Sequence, residues 1–92
     1  MSEIEVILIE LERLLTELKA SRGSEELKER IRRLFARANP LIRDTDDWDE
    51  MERVYKSAAK VAGMASYLLS EKDSEVREFF QLLGIEGNRQ VD

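Results

Sequence analysis

Ile4, Ile7, Leu8, Leu11, Leu14, Leu15 and Leu18 recur at intervals of three and four residues, the spacing that lines one face of a helix. Seven aliphatic side chains in one strip must be covered, so the segment predicts a helix docked on other helices. Ser2 with Glu5 three residues later fits a capping box, in which each side chain accepts from the other residue's backbone N–H. Ile4, Val6 and Leu8 alternating with Glu3 and Glu5 would also suit a strand, but the strip outruns that short alternation. Val6 and Ile9 lie off the strip, so the helix is expected to sit between two neighbours.

Arg22, Gly23 and Ser24 close this helix and open the next, since glycine takes the left-handed conformation without a Cβ clash and serine caps an N-terminus. A turn this short makes the two helices antiparallel. Leu27, Ile31, Leu34, Phe35 and Ala38 then pack on the first strip. Pro40 is expected to stop the second helix, because Asn39 before it is pushed out of the α region. Leu41 and Ile42 would plug the core from within the connection.

A third series, Trp48, Met51, Val54, Tyr55, Ala58, Val61, Ala62, Ala65, Leu68 and Leu69, predicts the longest helix, from about 47 to 70 and about 35 Å long at 1.5 Å per residue. Gly63 inside it costs about 1 kcal/mol against alanine, for which close helix approach along Ala58, Ala59, Ala62, Gly63, Ala65 and Ser66 is the expected compensation. Asp73 or Ser74 can cap a last helix carrying Val76, Phe79, Phe80, Leu82 and Leu83. Gly84 ends it, with Ile85 folding back on Phe80. The fold class is thus all-α, a compact bundle of four helices, five if a short turn forms after Pro40. Residues 1–85 make a single domain, and 86–92 are expected to be a disordered tail. Just over half of the 92 residues are Ala, Glu, Lys, Leu or Arg, a bias of bundled helices.

The chain has no histidine, no cysteine, and a formal net charge of −5 from 15 basic and 20 acidic residues. Serine or cysteine triads, zinc sites and the Glu-x-x-His pairs of di-iron bundles are therefore excluded. The acids from Asp44 to Glu52 do not form a calcium loop: counted from Asp44, the sixth position is Asp49 and the twelfth Tyr55, where the loop needs glycine and glutamate. They suit a helix N-terminus instead. Arg30, Arg32, Arg33, Arg37 and Arg43 are the basic concentration, but Glu25, Glu26 and Glu29 precede them as the helix dipole favours, and the net charge opposes a polyanion. The connection after the second helix also looks longer than a helix-turn-helix reader uses. No cofactor, nucleic acid or membrane is expected. The absence of a long apolar run or basic leader leads to the expectation of a soluble, cytoplasmic protein.

Trp48, Met51, Tyr55, Met64 and Tyr67 could form an adaptable groove for a partner helix, but core packing explains most of them. Val6 and Ile9 on the first helix and Met64 and Tyr67 on the third are the candidate partner patch, suited to a weak homodimer.

The segment GSEELKERIRRLF from Gly23 to Phe35 combines a glycine stop, a serine cap, glutamates first and arginines last, as design practice does. In this the chain resembles a computationally designed, de novo helical bundle. Gly63, the connection NPLIRDTDDW from Asn39 to Trp48 and the end EGNRQVD have a natural texture, as in a bundle assembled from natural helical fragments. The resemblance implies a structural scaffold whose purpose is its fold, with no enzymatic activity, substrate, cofactor or native partner, and it identifies no functional residue. The alternative is a helical protein-protein interaction module binding a partner helix.

Overall fold

In the computed structural model, residues 2–70 and 72–84 are described, and they form four helices. The first, α1 (Glu3–Ser21), starts where the capping box places it: the Glu5 N–H donates to Ser2 Oγ at 3.3 Å and the Ser2 N–H to Glu5 Oε1 at 3.4 Å. Its seven strip residues are all buried. Arg22 ends it in the left-handed region at φ 60°, and Gly23 follows at φ 95°, where a Cβ would be strained. Ser24 Oγ accepts from the Leu27 N–H at 3.3 Å and opens α2 (Glu25–Asp44).

Pro40 does not stop α2; the helix runs four residues beyond it. A proline in a helix interior costs about 3 kcal/mol, through a missing N–H and a clash one turn back. The turn survives because its side chains are committed to the core. Ile42 is buried, worth about 1.5 to 3 kcal/mol, and the buried Asn39 donates from Nδ2 to the Glu75 carbonyl at 2.9 Å. Leu41 and Ile42 thus pack from within the helix, and no separate helix forms between Pro40 and α3. The connection to the third helix shortens to residues 45–47, so its length does not argue against a helix-turn-helix.

Asp47 caps α3 (Trp48–Leu68) by accepting the Glu50 N–H on Oδ1 at 3.0 Å. Val54, Ala58, Val61, Ala62 and Ala65 are its buried face. Gly63 faces away from that core, and a Cβ there would meet nothing within 4 Å. The expected close approach at Gly63 is therefore wrong: the small-residue series splits into buried Ala58, Ala62 and Ala65 and exposed Ala59, Gly63 and Ser66. The last helix, α4 (Ser74–Leu82), has Asp73 at its N-cap position without a side-chain cap bond. That carboxylate instead accepts from Arg32 Nε on α2 at 2.8 Å. Gly84 lies at φ 76° with its N–H donating to the Gln81 carbonyl at 3.0 Å, whereas Ile85 and the tail 86–92 are outside the described residues.

Helix α1 packs on both α2 and α3, and α4 packs chiefly on α2 with a thin contact to α3. The four helices follow one another around a ring in the order α1, α2, α4, α3. Ion pairs give the direction of α3: Arg53 meets Glu5 at 3.4 Å and Lys60 meets Glu12 at 2.6 Å. Both pairs span the same 48 residues, so α1 and α3 run parallel. Phe35 of α2 and Phe79 of α4 meet edge to face inside the ring, centroids 4.9 Å apart, an arrangement favoured by the ring quadrupoles. No described helix is long and apolar enough to cross a membrane.

Candidate functional site

The short connection after Asp44 brings the end of α2 and the start of α3 together, and α4 finishes beside them with Leu82 and Leu83. Because α4 leans on α2 rather than α3, the ring stays unsealed along the α3 and α4 seam. A groove of about 770 Å³ occupies that gap. Ile42, Met51, Leu82 and Leu83 supply aliphatic and thioether surface, and Trp48 and Tyr55 supply aromatic surface. Trp48, Met51 and Tyr55 are three and four residues apart, which puts them on one flank of α3. Trp48, the single tryptophan of the chain, is 83% exposed, and Tyr55 is half-exposed. A tryptophan this exposed beside an apolar groove is unlike ordinary core packing.

The groove is bordered by charge: Arg43, Asp46, Asp47, Glu52 and Lys56 line it. Arg43 is held at 3.4 Å by both Asp44 and Glu78. Asp47 serves as the α3 cap, and Thr45 Oγ1 accepts from the Asp47 N–H at 3.3 Å, which fixes the connection.

The shifted titrations lie on other faces. Backbone and side-chain hydrogen bonds from Ser2, then Arg53, hold the Glu5 carboxyl below its ordinary range. The Asp73 carboxylate raises the Arg32 guanidinium, and Glu10 does the same for Arg13. Among the described residues no three His, Cys, Asp or Glu side chains converge as a cation site.

The candidate residues from the sequence are not brought together. Val6 and Ile9 are half-exposed on the outer face of α1, Tyr67 is 83% exposed, and Met64 is partly buried against the core. With Glu5 level with Arg53, Val6 lies level with Val54, which places Tyr67 about 20 Å further along the bundle at 1.5 Å per residue. The core packing expected for most of Trp48, Met51 and Tyr55 holds for Met51, which is partly buried against the core, and is corrected for Trp48 and Tyr55, which are exposed; all three line the groove. The available signal was a tryptophan at the first position of a helix, among acids and ahead of the segment its neighbours cover. Four of the five arginines of α2 are engaged within the molecule: Arg32 with Glu29 and Asp73, Arg33 with Glu29, Arg37 with Glu3, and Arg43 with Glu78.

Compared with known proteins, the chain matches no family model, no curated protein and no solved structure.

Proposed function

We propose that the chain is a protein-protein interaction module that takes a partner helix in the groove between the start of α3 and the end of α4. The observation that carries this reading is Trp48, a large aromatic left 83% exposed beside an apolar groove. A scaffold without a partner would gain by burying or omitting that side chain. Amphipathic helices bind by laying apolar residues into such grooves, and aromatic and methionine side chains are enriched where they do. A small molecule fits less well, since a ligand site buries most of its ligand and this groove has exposed walls.

Trp48 is the only tryptophan, so its emission reports on the groove directly. Titration with amphipathic helical peptides of about 15 residues, long enough for marginal helicity, should shift the emission to the blue with saturation. Met51→Glu, with helicity retained, should remove the response. A Trp48 spectrum unmoved by any peptide of the panel would overturn the proposal.

A further inference from the structure

All five carboxylates of α1 meet a cation: Glu3 with Arg37, Glu5 with Arg53, Glu10 and Glu17 with Arg13, and Glu12 with Lys60. The groove is different. Asp46, Asp47 and Glu52 line it, and none has an ion-pair partner among the described residues. Asp49 and Glu50 follow in the same turn of α3, likewise without one. Of the two cations on the groove, Arg43 is already held by Asp44 and Glu78, which leaves Lys56.

We infer that the helix taken by this groove is cationic, with an apolar face against Ile42, Met51 and Leu82 and Lys or Arg along the flank that meets Asp46, Asp47 and Glu52. This inference rests on the interaction-module reading and specifies the chemistry of the partner. Unpaired carboxylates beside an apolar surface attract a complementary partner and discriminate against one of like charge. The exposed face of Trp48 acts in the same direction, because an indole ring attracts a guanidinium or ammonium lying over it. A second copy of this chain is disfavoured: it carries its own charge of −5 and would bring the same acidic border toward this one.

The test uses the full chain and three helical peptides with one shared apolar face and a polar face of Lys/Arg, Gln or Glu. The Lys/Arg peptide should bind at least about tenfold tighter than the Glu peptide at low salt, with most of the difference lost in high salt. Asp46→Asn with Glu52→Gln, both at exposed or capping-free positions, should reduce that preference while leaving the Gln peptide unaffected. Equal, salt-independent binding of all three peptides would overturn the cationic inference and leave the interaction module standing. Binding of none would overturn both. A dimer in sedimentation that is lost on Trp48→Ala would assign the groove to a second copy, and binding seen only after Ile85→Glu and Val91→Glu would assign it to residues 85–92; either result overturns the inference.

Discussion

The two sides of α1 and the two sides of α4 are built differently. On α1 one continuous strip serves both neighbours, α2 and α3, and charge pairs trim both edges, Glu3 with Arg37 on one and Glu5 and Glu12 with Arg53 and Lys60 on the other. Such surface pairs contribute at most about 1 kcal/mol each, so the strip supplies most of the stabilisation. Helix α4 has nine residues, and its buried side chains Val76, Phe79 and Phe80 face mainly α2. A helix that short cannot cover two neighbours equally. The groove is the geometric remainder, and the proposed binding surface lies where the bundle ceases to be symmetrical.

The sharpest way to break this contrast is in the closed half. Leu11, fully buried at the middle of α1, should lose about 2 to 5 kcal/mol on replacement by alanine, from lost transfer energy and a residual cavity. Chemical denaturation measures it, and a loss below about 1 kcal/mol would mean that α1 is not the central element. Next in size is Pro40→Ala. The helix continues through this position, so restoring the N–H should stabilise by about 2 kcal/mol, the proline's helix cost of about 3 less the extra freedom of the unfolded chain. An unchanged denaturation midpoint would indicate that residues 41–44 are not held as helix.

Much of the closed half is legible in the sequence, because each of its devices is local. The strip of α1, the Ser2 and Glu5 box, the turn at Arg22–Ser24 and the buried face of α2 each follow from spacing and cap chemistry. What was not legible depended on neighbours distant in the chain. Pro40 reads locally as a stop, and only the burial of Ile42 and the bond from Asn39 to the Glu75 carbonyl keep the helix going. Asp73 reads locally as a cap, but Arg32, 41 residues away, takes its carboxylate. The groove was open to two readings for the same reason: the spacing of Trp48, Met51 and Tyr55 suits a core and a groove alike, and the exposure of Trp48 and Tyr55 follows from how α4 leans.

Smaller effects sharpen the comparison. Ser2→Ala should cost about 1 kcal/mol at neutral pH. The Ser2 backbone and side-chain hydrogen bonds hold the Glu5 carboxyl below the usual carboxylate range, so the share of the contribution made by the hydroxyl to the carboxylate is complete above the ordinary carboxyl value and is lost as pH falls through the lowered one, while the bond from the Glu5 N–H to Ser2 Oγ remains. The difference between wild type and variant, followed by thermal unfolding across that acidic window, should narrow; a constant gap would show that the carboxylate plays no part. Gly63→Ala should stabilise by about 0.5 to 1 kcal/mol, since the site is open and glycine is a poor helix former; a loss would reveal a neighbour on that face. Trp48→Ala should change stability by less than about 0.5 kcal/mol, and a larger loss would mean that the tryptophan holds the fold together and is not a free docking residue.

The parallel register of α1 and α3 also orders events in time. The hairpin of α1 and α2 closes across three residues, whereas bringing Arg53 to Glu5 and Lys60 to Glu12 closes a span of 48. Made directly from the unfolded chain, the second contact would cost about 2 kcal/mol more in loop-closure entropy than the first, so it follows once the hairpin has shortened the gap. The hairpin is therefore the natural nucleus, and arrival of α3 is the slow event that completes the strip. Substitutions at Leu14 or Ile31 should slow refolding, while those at Val61 should act more on the rate of unfolding. The groove beside Trp48 exists only once α3 and α4 are both in place, so the binding proposed there would read out the completed fold.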